Sequence, residues 1–137
     1  KSIFAYSFVG RNANGESIED KIFAIQTRVI KELAAKGPCV IVGRSADYIL
    51  KDMDTLNVFI YASQKEKVKR TMSFKGVSQK EAEKLISETD KRRSINYKYY
   101  TGQSWGDREN YTVMLNSTDL GVEKTAEFIA ELYRQED

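Results

Sequence analysis

Histidine is absent from this 137-residue chain, which excludes Ser-His and Cys-His triads, imidazole acid-base chemistry and most zinc sites. Cysteine is nearly absent. The single thiol, Cys39, can form no internal disulfide and lies in an apolar run, where it reads as a small buried hydrophobe in a reducing cytosol. No apolar run approaches the roughly eighteen residues of a membrane span, and no signal-peptide pattern opens the chain, so a cytoplasmic protein without a membrane partner is expected. An excess of one charge is lacking too. Twenty-two basic against twenty acidic residues leave a net charge of +2, too little for a nucleic-acid coat, so any anion site must be local. The chemistry left is that of arginine, lysine and carboxylate.

What is present suits one globular core, with 41% apolar and 31% charged residues. The chain is organised around Gly37 to Tyr48. After the breaker pair Gly37-Pro38, the run Cys39-Val40-Ile41-Val42 shows no polar alternation and then stops at Gly43-Arg44. That pattern predicts a strand buried on both faces, delivering Arg44 at its carboxyl end, where ligands of open α/β sheets bind.

Upstream, Lys1 to Val9 is apolar and aromatic, predicting a short extended or helical piece, and Gly10 to Gly15 is a turn-rich loop. Ile18, Ile22, Ile25, Val29 and Leu33 share one face of a helix predicted from about Ser17 to Lys36. Ser45 to Leu50 reads as one or two helical turns, and Asn57 to Ala62 as a second doubly buried strand. Ser63 with Glu66, and Ser78 with Glu81, have capping-box spacing. The first of these helices should turn Val68 and Met72 inward and stop at Gly76; the second, with Ala82, Leu85 and Ile86 inward, should run towards Gly102. Gln103 to Asn110 is a polar loop around Trp105, Tyr111 to Leu115 a third strand, and Asn116 to Asp119 the turn after it. Gly121 to Tyr133 closes the chain as a helix with Val122, Ala126, Ile129 and Leu132 or Tyr133 inward.

Strands alternating with helices predict an α/β fold with a parallel sheet. Three strands apolar on both faces would leave two open edges, so at least one further strand is expected. The chain also begins without methionine.

Three groups could carry chemistry. Arg44 could grip a phosphate through its planar fork, or pair with Asp47 as an ordinary strand-end arginine. Asp90-Lys91-Arg92-Arg93, followed by Tyr97, could bring cations and aromatics together on one helix face or be a solvated charge run; such a stripe could also stack single-stranded nucleic acid. Asn116-Ser117-Thr118-Asp119 could hold a nucleotide base or simply cap the final helix. A phosphate loop of the form Gly-x-x-x-x-Gly-Lys-Ser/Thr is not found within the sequence, and the spacing from Gly37 to Gly43-Arg44-Ser45 spans a strand pattern that cannot cradle a phosphate.

Taken together, Lys36 to Arg44 with Ala46 to Leu50, Val58 to Ala62, Asp90 to Arg93 with Tyr97 to Gly102 and Trp105 to Asp107, and Asn116 to Thr118 with Gly121 to Glu123, resemble the cytidylate kinases, most closely the bacterial cytidylate kinase-like proteins. The resemblance spans nearly the whole chain in order and spacing. It implies a P-loop kinase-like fold, a parallel sheet flanked by helices, in which residues 1–137 form a single partial domain with a lid-like helical segment at about 75–102. Three strands would be visible, with the N-terminal strand and phosphate loop lying before Lys1. It further implies ATP with Mg2+ as cofactors and transfer of the terminal phosphoryl to CMP or dCMP. On the matching positions, Arg70, Arg92 and Arg93 would serve catalysis, Arg44, Asp47, Asp90 and Tyr97 the acceptor, and Asn116, Ser117 and Thr118 the adenine; no metal ligand is assigned. Two positions depart from the typical pattern, Ser45 and Arg93, each standing where cytidylate kinases carry an aspartate that helps to read the cytosine and ribose. The family reading allows a homo-oligomer. The other function class open to this chain is a non-catalytic nucleotide-sensing or interaction module on the same fold.

Overall fold

The computed structural model describes Gly15 and residues 17–135, so the expected apolar segment Lys1 to Val9 and most of the loop after it lie outside the described residues. The chain divides into two compact units, residues 1–53 and residues 54–137.

The first unit is built on helix α1, Ile18–Ala35. Ser17 stays extended and its hydroxyl accepts from the Asp20 amide at 3.0 Å, satisfying one of the free N–H groups of the first turn, while Glu19 and Asp20 complement the positive helix end. The chain leaves the helix through Lys36, whose amide returns to the Leu33 carbonyl at 3.2 Å. Helix α2, Ala46–Ile49, is a single turn, and its Ala46 and Ile49 join Ile30 and Leu50 in a small core with Phe23, Ala34 and Ile41 around it. The face of α1 that packs is therefore the one carrying Phe23, Ile30 and Ala34. Ile18, Ile25, Val29 and Leu33, the face picked out by periodicity, are exposed. Periodicity locates an apolar stripe without saying which stripe finds a partner.

The expected strand at Cys39–Val42 is not formed among the described residues. Val40 is 92% and Val42 86% exposed, Cys39 is exposed as well, and only Ile41 reaches the core. An unbroken apolar run has the composition of an inner strand, but a strand exists only where its N–H and C=O groups meet a neighbour, and no described segment pairs with this one. Beyond it the backbone turns sharply, with Gly43, Arg44 and Ser45 successively left-handed at φ 69°, 60° and 56°.

The second unit carries a parallel pair, β1 (Val58–Tyr61) and β2 (Val113–Asn116), in the register Val58 to Val113 through Tyr61 to Asn116. Parallel pairing is as expected for these two segments. Two strands rather than three are present among the described residues, and Ile60 and Tyr61 are exposed rather than enclosed on both faces. The pair is tied at its start, where the Thr112 amide donates to the Asn57 carbonyl at 2.8 Å and the Asn57 amide to the Thr112 hydroxyl at 3.1 Å.

Between the strands lie α3 (Gln64–Lys75) and α4 (Gln79–Thr101). Both begin as the capping spacing predicts, with Ser63 and Ser78 accepting from the Glu66 and Glu81 amides, each at 3.2 Å. Both end at left-handed glycines, Gly76 and Gly102, which take that conformation without a Cβ clash. Val68, Ala82 and Ile86 form the contact between them, with Val77 from the connecting loop, whereas Met72 is exposed rather than inward. After β2 the expected turn at Asn116 to Asp119 is instead one helical turn, α5 (Ser117–Leu120), capped by Asn116. In the last helix, α6 (Val122–Gln135), Thr125 is buried, while Val122, Ala126 and Tyr133 of the expected inner face are exposed. No helix among the described residues is long and apolar enough to cross a membrane.

Candidate functional site

Helices α3 and α4 enclose an open groove of ≈ 320 Å³ lined by Lys67, Arg70, Thr71 and Lys75 from α3 and by Leu85, Ile86, Thr89, Asp90 and Arg93 from α4. Helical spacing explains the set, since side chains three and four residues apart share a face: Lys67, Thr71 and Lys75 on one wall, Ile86, Asp90 and Arg93 on the other. The floor is apolar and the rim holds four cations to one carboxylate.

That carboxylate is the hub. Lys67 Nζ donates to Asp90 Oδ2 at 2.8 Å, and Arg93 Nη2 donates to Asp90 Oδ1. Partial burial pushes the Asp90 carboxyl up, but the hydrogen bonds from Lys67 and Arg93 and their charges outweigh it, holding the group below its ordinary value. Both carboxylate oxygens are thus occupied. Arg93 has a second anchor, its guanidinium carbon lying 4.7 Å from the centroid of the Trp105 ring. Trp105 in turn meets Phe59 of β1 edge-on at 5.3 Å, and Phe59 meets Tyr111 at 4.9 Å.

Arg70 is anchored differently. Its Nε donates to Glu66 Oε1 at 3.1 Å, one helical turn away, while Nη1 reaches the Ser117 hydroxyl at 3.0 Å and Nη2 the Ser117 carbonyl at 3.1 Å. The Ser117 hydroxyl, in a residue only 3% exposed, donates in turn to the Tyr61 carbonyl at 3.1 Å. The Ser63 amide donates to the Thr118 hydroxyl at 2.8 Å. The carboxyl ends of both strands are therefore stitched to the starts of α3 and α5, and Arg70 is held across that junction.

Of the site residues expected from sequence, Arg70, Asp90 and Arg93 meet in the groove. Arg92 is exposed on α4 and does not line it; Tyr97 is buried, its hydroxyl donating to Gln103 Oε1 at 2.9 Å. Asn116 caps α5, accepting from the Thr118 amide at 3.0 Å and donating from Nδ2 to Asp119 Oδ2 at 3.0 Å. Arg44 and Asp47 belong to the first unit, Arg44 exposed on the left-handed turn and Asp47 in the first turn of α2. Sequence reasoning did not single out Lys67, Lys75 or Trp105 as site residues. Helical spacing would have marked Lys67, three residues before Arg70, as its neighbour, and would have placed Lys75 on the Lys67 and Thr71 face. The contact of Trp105 with Arg93 depends on the loop returning to the sheet, which no local pattern encodes.

No cluster of three or more Cys, Asp or Glu able to hold a metal ion occurs among the described residues. The groove is furnished for oxyanions: guanidinium forks and ammonium groups above an apolar floor, with a carboxylate that keeps two of the cations in place.

The fold and groove define a mixed α/β protein with a cationic cleft between the two helices that connect its parallel strands. The chain belongs to the cytidylate kinase-like family, whose model matches residues 1–119. It is similar to an uncharacterized protein from Eubacterium ventriosum known from its crystal structure, with 29% identity and a TM-score of 0.78, over 84% of this chain and 73% of that one. Among curated proteins, none matches the chain.

Proposed function

We propose that the protein is a nucleoside monophosphate kinase-like phosphotransferase, moving the terminal phosphoryl of ATP to CMP or dCMP, with the groove between α3 and α4 holding phosphoryl oxygens. The observation that carries this reading is the lining of one groove by Lys67, Arg70, Lys75 and Arg93, with Asp90 holding Lys67 and Arg93, in a chain of the cytidylate kinase-like family. Phosphoryl transfer asks little covalent work of a protein and much positioned positive charge, which such a rim supplies.

The residues fit the two implied cofactors to different degrees. Four cations suit the phosphates of ATP, and Mg2+, which commonly binds through one or two carboxylates, waters and substrate phosphates, needs no protein cage. When bound, Mg2+ would supply charge neutralisation on the phosphate oxygens. The chain's own contributions are these: Arg70, braced by Glu66 and Ser117, offers a fixed fork; Lys67 and Arg93, held by Asp90, keep two donors at the groove; and the Ser117 and Tyr61 bond keeps the strand ends from shifting under load. For the other expected contacts, Arg44 with Asp47 is proposed for the acceptor phosphate and Asn116 to Thr118 for the adenine. With Ser45 and Arg93 in place of two aspartates, and Asp90 already bonded through both oxygens, acceptor choice should extend beyond cytidine nucleotides.

A phosphoryl-transfer assay on the full-length protein, with ATP and Mg2+ and each ribo- and deoxyribonucleoside monophosphate in turn, tests the proposal. Diphosphate formation that falls on Arg70→Gln is the expected result. Nucleotide binding without transfer would overturn it in favour of a sensing module, and the absence of binding would overturn both.

A further inference from the structure

We infer that Trp105 is a positioning residue for Arg93, indexing that arginine to the sheet as well as to its own helix. The inference rests on the reading of the groove as a phosphoryl site.

Arg93 is half exposed and has a long stem, so the helix alone would leave its guanidinium many rotamers. Two contacts remove that freedom: the Asp90 carboxylate on one side, and the Trp105 ring 4.7 Å away on the other. The Asp90 contact comes from the same helix, three residues back, and would follow α4 wherever it went. The Trp105 contact comes from the loop after α4, and that loop is pinned. Phe59 of β1 takes the edge of Trp105 at 5.3 Å and packs on Tyr111 at 4.9 Å, and the Gly106 amide donates to the Tyr111 hydroxyl at 3.3 Å. Gly106 also lies so close to the strand that a Cβ there would stand 3.3 Å from Phe59 Cζ. A contact path therefore runs from the sheet through Phe59 and Trp105 to a groove cation. A guanidinium placed over a ring face spends none of its N–H groups on that contact, so Trp105 orients Arg93 while its donors other than the Nη2 bonded to Asp90 stay available for oxyanions.

The test uses the full chain and inorganic tripolyphosphate as the probe, titrated by calorimetry into wild type, Trp105→Leu, Trp105→Phe, Arg93→Gln and the Trp105→Leu/Arg93→Gln pair. Trp105→Leu should weaken binding by about three- to tenfold, Trp105→Phe should restore most of it, and Trp105→Leu should cost nothing further once Arg93 is glutamine. Equal losses in both backgrounds would overturn the positioning role. Should the leucine variant not fold, the only tryptophan of the chain still reports. Arg93→Gln and saturating tripolyphosphate should each change its emission, and an emission indifferent to both would overturn the inference. A wild-type chain that binds neither tripolyphosphate nor ATP sinks the phosphoryl reading and this inference together, whereas binding with additive losses sinks the inference alone.

Discussion

Arg70 grips Ser117 twice, through the hydroxyl at 3.0 Å and the carbonyl at 3.1 Å, joining α3 to the first residue after β2 across 47 positions of sequence. The same hydroxyl donates to the Tyr61 carbonyl of the neighbouring strand, so one buried oxygen closes the strand ends and braces a groove cation.

Ser117→Ala should therefore damage two things at once. It leaves the Tyr61 carbonyl without that donor and removes one of the two acceptors that Ser117 offers Arg70, at a cost of about 1–3 kcal/mol in stability. Urea unfolding of wild type and variant measures it. An unchanged midpoint would mean that the hydroxyl is not bonded as described.

Gly106→Ala should be destabilising by about 1–3 kcal/mol, because residue 106 has φ +81° and its added Cβ would press on the Phe59 ring at 3.3 Å. Thermal melting reads the loss. Gly102→Ala is the control: it has the same left-handed backbone but open space around the Cβ position, so it should lose less.

The local rules were legible in the sequence; of the long-range ones, the parallel pairing was and the side-chain contacts were not. Ser17, Ser63 and Ser78 start helices and Gly76 and Gly102 stop them because capping is settled within four residues of chain. The parallel pairing of Val58 to Tyr61 with Val113 to Asn116 could be read because both segments are apolar and separated by helices. Cys39 to Val42 shows the complementary case: its composition is that of a strand, but it pairs with no described segment, and pairing is decided elsewhere in the chain. The groove was half visible. Arg70, Asp90 and Arg93 were expected, whereas the clamp of Lys67 on Asp90 spans 23 residues and the stack on Trp105 needs a loop to fold back.

The Asp90 carboxyl is held below its ordinary value in the folded protein, so it binds fewer protons than in the unfolded chain at pH values between the two. Its stabilising contribution is thus fully present above the unfolded value of about 3.9 and is lost as pH falls through the folded value. Asp90→Asn should be less stable than wild type at neutral pH, with the difference narrowing as the pH drops below about 4. Urea midpoints of both proteins from neutral to strongly acid pH test it. A gap that widens on acidification would contradict the sign of the shift.

Arg44 has a left-handed backbone at φ 60°, a conformation that costs a residue with a side chain about 1–3 kcal/mol and that glycine adopts freely. Three substitutions separate what the backbone needs from what the side chain does. Arg44→Val should destabilise most, because a β-branched residue is poorly suited to this region, and Arg44→Gly should keep the turn. Arg44→Lys should keep both turn and charge while losing the planar two-point grip. If Arg44 contacts the acceptor phosphate, the lysine and glycine variants should each bind CMP at least roughly ten- to a hundredfold more weakly, as expected for a lost charge-assisted contact of about 1.5–3 kcal/mol. Calorimetry on full-length wild type and variants, with melting curves alongside, decides the matter. Unchanged CMP affinity in the lysine and glycine variants would reduce Arg44 to a turn residue, and a fall in melting temperature as large for glycine as for valine would place its role in the fold instead.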